Sequence, residues 1–277
     1  MLPSGVAHPL LLLQRVALQV YLLVATYVPF TLVVRGRPAI VPSPQPQWTA
    51  YVIHTNAKRK RFLHSMSVLR AANVTAVPVR AVSKSSAWLL ELFPECAAGK
   101  KARGYNCSLA SNFLTQARVW QRMDRSGADA DAYSLVIEDD IQRHSAVAPA
   151  AVRGLLDVAA SASRQHGLPV FYAGICGHAW YGPGVHAHEG WHAGLLFSRV
   201  HGSCAHAYAV RHGDAAAMAA RAIAARNATA FMDVQLNWLG QARGGFIAAG
   251  VNLRSPQDSR HRGIFYQDRA QFGANLN

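Results

Sequence analysis

A chain of 277 residues, half of them hydrophobic, is long enough for one ordinary domain with an appendage, or for two small domains. Its 28 Lys and Arg against 14 Asp and Glu leave a formal charge of +14, which implies an anionic partner such as nucleic acid, a membrane surface or a phosphorylated substrate. A nucleic-acid partner is not expected: the one dense basic run is Lys58–Arg61, and no zinc-finger or basic-zipper spacing occurs.

Residues 1–9 form a short tail. Residues 10–34 are strongly apolar, and no charged residue lies between Arg15 and Arg35. That is close to the roughly 20 residues needed to cross a bilayer, so a transmembrane signal-anchor is expected there. Cleavage after Ala25-Thr26 stays open. Pro38, Pro42, Pro44 and Pro46 make residues 35–47 a stiff, extended stem. An anchor, a stem and a globular domain over 48–277 is the layout of a single-pass Golgi or endoplasmic reticulum enzyme with a lumenal domain. Residues 1–47 should then be dispensable for folding. The sequons at Asn73, Asn106 and Asn227 agree weakly with a lumenal location.

Within the domain, Ala50–His54 reads as a first strand. Phe62, Met66, Leu69 and Ala72 recur at helical spacing in the basic segment that follows, and Val74–Val82 reads as a second strand. This is the opening of an α/β sheet. Ser83–Leu92 reads as a short helix, Lys100–Gly104 as a polar loop, and Ser108–Met123 as an amphipathic helix with Cys107 at its start. A buried strand, Tyr133–Ile137, then runs directly into Glu138, Asp139 and Asp140. Further on come an Ala-rich helix (Val147–Ala162), a strand (Pro169–Ala173), an aperiodic loop rich in Gly, His and aromatics (177–192), a strand (Cys204–Val210) and a helix (Gly213–Arg226). Last are a short helix carrying Asp233 (Ala230–Leu239), a late strand (Gly245–Val251) and a polar, Arg-rich tail. Four cysteines, Cys96, Cys107, Cys176 and Cys204, allow two disulfides in three pairings, and free core thiols are the alternative.

The acidic triplet stands out in a chain poor in acids. Three adjacent carboxylates raise each other's pKa values unless a cation sits among them. Hard oxygen ligands suit Mg²⁺ or Mn²⁺, ions that also bridge phosphate oxygens, and α/β sheets bind ligands at the carboxyl ends of their strands. The triplet therefore reads either as a metal–diphosphate site or as a solvated acidic turn. Arg59 and Arg61 read as diphosphate contacts or as a solvated helix face. His186, His188 and His192 read as loop residues or as groups binding sugar and phosphate, and His186 and His188 alternatively as ligands of a metallohydrolase that would also use Asp139 and Asp140. Trp180 and Trp191 read as sugar-stacking or packing residues.

Taken in order, these elements resemble glycosyltransferase family 25, the group of lipopolysaccharide and collagen galactosyltransferases. The resemblance rests on Tyr51-Val52-Ile53-His54-Thr55-Asn56 with Lys58–Arg61, and on Asn106-Cys107-Ser108 through Asn112 with Trp120. It continues in Leu135–Asp140, Gly202–Tyr208, and the helix leading to Asp233. In the second of these motifs, Asn106 stands for the family's Gly and Asn112 for its His. The resemblance implies a GT-A, Rossmann-like α/β domain with a mixed central sheet. It implies a metal-dependent, inverting hexosyltransferase that moves a sugar, galactose among the candidates, from a nucleotide-diphosphate sugar to a glycan or protein hydroxyl. In that reading Glu138 and Asp140 hold Mn²⁺ or Mg²⁺. Glu138, Asp139, Arg59 and Gln257 contact the donor, and Asp233 is the base. A catalytically inactive, membrane-anchored binding module of the same fold is the competing reading.

Overall fold

A computed structural model describes residues 48–97, 107–176, 186–188, 195–198, 203–225, 236, 246–250, 253–257 and 261–272. All belong to the unit Pro46–Asn277. The expected anchor at 10–34 and stem at 35–47 lie outside the described residues. Among the described residues no helix is long and apolar enough to cross a membrane.

The fold is α/β with a mixed sheet, as expected. The strands are β1 (Thr49–His54), β2 (Thr75–Arg80), β3 (Tyr133–Glu138), β4 (Ile141–Arg143), β5 (Val170–Cys176), β6 (His186–His188), β7 (Leu195–Ser198), β8 (Ser203–Arg211), β9 (Phe246–Ala249), β10 (His261–Gly263) and β11 (Phe265–Gln267). The helices are α1 (Arg59–Ala71), α2 (Ala87–Leu92), α3 (Cys107–Asp124), α4 (Ala151–Gln165), α5 (His212–Ala225) and α6 (Arg269–Phe272). The main sheet runs in the order β2-β1-β3-β8-β5-β9-β7-β6, and β10 pairs with β5. The strands β1, β2 and β3 are mutually parallel, while β8 is antiparallel to both β3 and β5. A separate pair, β4 and β11, is antiparallel.

Strand β3 shows why the sheet must be covered on both sides. Leu135 and Ile137 point into one apolar cluster with Val68 and Leu69 of α1 and Val152, Leu156 and Ala159 of α4. Val136, between them, points into the other, with Phe113, Leu114 and Trp120 of α3 and Met218 and Ala219 of α5. A continuous apolar run is the pattern of a strand buried on both faces. Fully burying each such side chain is worth roughly 1.5–3 kcal/mol. Helix α1 ends at Ala72–Asn73, where Asn73 takes φ 54° and Val74 N–H returns to Leu69 O at 3.0 Å. Asn tolerates this left-handed conformation, and the tight exit aims the chain into β2.

Four expectations need correction. The segment 177–192 is not wholly loop, because β6 lies within it, and β7 follows unforeseen. The tail past Asn252 is not merely polar: it carries β10, β11 and α6, with Ile264, Phe265 and Tyr266 buried. Helix α2 starts later than Ser83, because Ser86 caps it, its Oγ accepting from Leu89 N–H at 3.2 Å. Helix α4 starts at Ala151, past Pro149, rather than at Val147.

Candidate active site

The site is assembled at the carboxyl end of β3. The strand is fully buried through Ile137, Glu138 is half-buried, and Asp139 and Asp140 form the buried turn into β4. Strand β4 pairs with β11 in the register Ile141↔Gln267, so the C-terminal tail folds back onto the acidic turn. Asp268 N–H donates to Asp140 O at 2.8 Å, Gln267 Nε2 donates to Glu138 Oε2 at 2.8 Å, and Ile141 N–H donates to Ser65 Oγ at 3.2 Å.

The cation among these acids is Arg61. Its Nη2 lies 2.9 Å from Asp139 Oδ1 and 2.6 Å from Asp140 Oδ2, and the Arg61 and Asp140 side chains are only 4% and 1% exposed. This corrects the solvated-face reading of Arg61. The apolar spacing at Phe62, Met66, Leu69 and Ala72 points to one stripe, but the buried residues of α1 are Arg61, Ser65, Val68 and Leu69. That stripe does pack against the core, and the buried face extends beyond it to Arg61, which meets the carboxylates, and Ser65, whose Oγ accepts from Ile141 N–H.

One guanidinium does not offset three carboxylates. Burial pushes the Glu138 carboxyl up to about 8, helped by the charges of Asp140 and Asp139, against the opposing pull of the Gln267 bond and Arg61. Asp139 and Asp140 are also raised, burial first, although Arg61 pulls both down. Asp140 Oδ1 is buried without a hydrogen-bond partner among the described residues. Carboxylates short of positive charge and an orphaned buried oxygen are what a hard divalent cation would satisfy, so Glu138 and Asp140 fit Mn²⁺ or Mg²⁺.

The other expected residues are placed variously. Arg59 stands exposed at the start of α1 and makes no ion pair among the described residues. Gln257 is exposed, and its Nε2 donates to Asp268 Oδ1 at 2.8 Å, so it reaches the acidic turn through Asp268. Asp233, Trp180, Trp191 and His192 lie outside the described residues. His186 and His188 are on β6, with β8, β5, β9 and β7 between that strand and β3. That separation argues against a hydrolase built from these histidines and Asp139–Asp140. Cys107 opens α3 and is bonded to Cys96. One turn later, Ser111 donates to Val82 O just past the end of β2, so Cys107 sits toward the carboxyl edge of the sheet.

Three positions singled out separately in the sequence converge. Tyr208 donates to Gln116 Oε1 at 2.5 Å and accepts from Trp120 Nε1 at 3.2 Å, and Gln116 Nε2 donates to Asn112 Oδ1 at 3.2 Å. Burial holds the Tyr208 phenol well above its ordinary pKa, and the charge of Glu138 adds to the effect. A polar chain thus runs from exposed Asn112 inward toward the acidic site.

Sequence reasoning missed Gln267, Asp268 and the burial of Arg61. The signal for the first two was the apolar triplet Ile264-Phe265-Tyr266 just before them in a tail otherwise polar. No family model matches this chain, and no curated protein matches it.

Proposed function

We propose that the chain is a metal-dependent glycosyltransferase that moves a hexosyl group from a nucleotide-diphosphate sugar to a glycan or protein hydroxyl, with inversion. The observation that carries this reading is the acidic turn at the carboxyl end of β3. Three carboxylates meet there, only Asp139 and Asp140 pair with the Arg61 guanidinium, and a buried oxygen of Asp140 has no partner among the described residues. When bound, Mn²⁺ or Mg²⁺ supplies the positive charge that stabilises a diphosphate leaving group. Glu138 and Asp140 hold the ion. Arg61 fixes Asp139 and Asp140 in place, and Gln267 orients Glu138 through its amide. The contact between Trp120 and Tyr208 supports the reading, since both positions belong to motifs that carry the resemblance to family 25, whereas Asn112 stands where the family has His. Asp233 remains the proposed base for the acceptor hydroxyl, Arg59 and Gln257 remain proposed donor contacts, and a single-pass Golgi or endoplasmic reticulum location goes with the proposed anchor.

A second reading is favoured by one observation. Arg61 already pairs with both Asp139 and Asp140, as it would in an inactive binding module of the same fold. A panel of nucleotide sugars, assayed for Mn²⁺-dependent hydrolysis and transfer, separates the two. Turnover of one donor supports the transferase. Donor-dependent thermal protection without turnover supports the binding module, and neither response overturns both.

A further inference from the structure

A second cluster of ligand-type side chains lies away from the acidic turn, where β5, β8 and β10 meet. Cys176 Sγ is 4.0 Å from His206 Nδ1 and 3.9 Å from His261 Nδ1. The two imidazoles stack with centroids 5.7 Å apart, and both residues are buried. Three ligand atoms, one from each residue, lie within 4.8 Å of one another. Cys176 is disulfide-bonded, and no free thiol occurs among the described residues. In this state its sulfur is not a thiolate and is no metal ligand.

The surroundings fix the ring of His206. Its Nε2 faces Phe265 O at 3.3 Å. A carbonyl only accepts, so Nε2 carries the proton, and in the neutral ring Nδ1 keeps a lone pair aimed at the sulfur. A backbone carbonyl on the far nitrogen is the usual outer support of a metal-binding histidine. Zinc takes sulfur at about 2.3 Å and imidazole nitrogen at about 2.0–2.1 Å, so tetrahedral geometry puts S and N about 3.5 Å apart. The observed 3.9 and 4.0 Å separations are within about half an ångström of that.

We propose that reduction of the Cys176 disulfide creates a Cys176–His206–His261 site for Zn²⁺ or a similarly soft divalent ion. A dithiol supplies two electrons and two protons. The S–S bond breaks, both cysteine sulfurs become thiols, and the dithiol closes to its own disulfide. The ion then displaces the Cys176 thiol proton and binds the thiolate and the two Nδ1 atoms, with a fourth position left for water. The proposal does not rest on the activity proposed for the acidic turn.

The test uses the full chain in detergent and Co²⁺ as the spectroscopic stand-in for zinc. Protein is either left oxidised or reduced with a dithiol that is then removed without oxygen. Reduced protein is expected to bind one Co²⁺ per chain, with a sulfur-to-cobalt charge-transfer band, while oxidised protein shows no band. Cys176→Ser should abolish the band, and His206→Gln or His261→Gln should weaken binding at least about tenfold. Replacing Cys96 and Cys107 together by Ser should leave the band in place, since that pair is not part of the cluster. The proposal is overturned if reduced wild-type protein shows no band. It is also overturned if His261→Gln, with an unchanged thermal melt, binds as the wild type does, or if the band vanishes with Cys96 and Cys107.

Discussion

Arg61 Nη2 lies 2.6 Å from Asp140 Oδ2 while also reaching Asp139 Oδ1 at 2.9 Å, so a single guanidinium bridges two adjacent carboxylates in a nearly sealed turn. The two partners should differ in what their loss costs. Arg61→Gln leaves two buried carboxylates facing each other and Glu138, and breaking a buried pair in this way typically costs about 3–5 kcal/mol. Asp140→Asn removes a charge that burial and Asp139 already disfavour, so its cost should stay below about 1 kcal/mol. Under the proposed function, Asp140→Asn should nevertheless lose most metal-dependent turnover. Denaturant melts of both variants beside a turnover assay test the contrast; equal stability losses would remove the crowding argument.

Glu138 predicts a pH dependence. A carboxyl whose folded pKa lies above its unfolded value binds its proton more tightly when folded. It stabilises the fold below the unfolded value, and that contribution fades as pH rises through the folded one. For Glu138 the window runs from the ordinary 4.5 to about 8. Chelator-treated protein should lose up to a few kcal/mol across it. Glu138→Gln should flatten the profile. Under the proposed function Mn²⁺ needs the deprotonated carboxylate, so its affinity should rise over the same window. Urea melts at stepped pH, with and without Mn²⁺, read both effects. A wild-type profile no steeper than that of Glu138→Gln would sink the assignment.

Much of this architecture was legible in the sequence, and the limits have physical causes. The β1–α1–β2 opening, α3 and β3 announced themselves by apolar runs and helical spacing. Strands β4, β10 and β11 have three residues each, too few to show an alternation. Their pairing is set by partners far along the chain, as Ile141 is by Gln267. Arg61 was misread because composition places a basic run on the surface, whereas Asp139 and Asp140, distant in sequence, draw one of its members inside. The Cys96–Cys107 pairing was one of three possibilities, and only the approach of α3 to the residues after α2 selects it.

His212 predicts acid sensitivity of a different kind. Its Nδ1 meets Met123 O at 3.1 Å and its Nε2 meets Ser134 Oγ at 2.8 Å. The carbonyl only accepts, so Nδ1 carries the proton and Nε2 accepts from the Ser134 hydroxyl. Burial lowers the His212 pKa. A histidine whose folded pKa is depressed contributes stability above its ordinary value of 6.5, and that contribution is lost as pH falls below it. Ser134→Ala strips the buried Nε2 of its donor and should cost about 1–3 kcal/mol near neutral pH. The check is a comparison of melts for wild type and Ser134→Ala, above and below the ordinary histidine pKa. Equal stability at neutral pH would show that Nε2 does not depend on this hydroxyl.

Gly174 and Gly154 should respond to the same substitution with opposite signs. A Cβ on Gly174 would run into the backbone oxygen of Phe265 and come within 2.5 Å of His206 Nε2. His206 is 1% exposed and held by that same oxygen, so it has little room to retreat. The oxygen belongs to β11, whose register with β4 sets Gln267 against the acidic turn. Gly174→Ala must therefore shift either the histidine or the strand, and overpacking of this kind costs about 1–3 kcal/mol or more. Gly154 lies inside α4, exposed, with nothing within 4 Å of the added carbon. There the methyl group only restricts the unfolded chain and favours the helix, so Gly154→Ala should stabilise by about 0.5–1 kcal/mol. Denaturant midpoints of the two variants give the signs directly. Under the proposed function, if the strand is what moves, Gly174→Ala should also weaken Mn²⁺ binding at Glu138 and Asp140 while Gly154→Ala leaves it unchanged. A Gly174→Ala protein as stable as wild type would mean that β5 and β11 do not approach as closely as the contact between Gly174 and Phe265 requires.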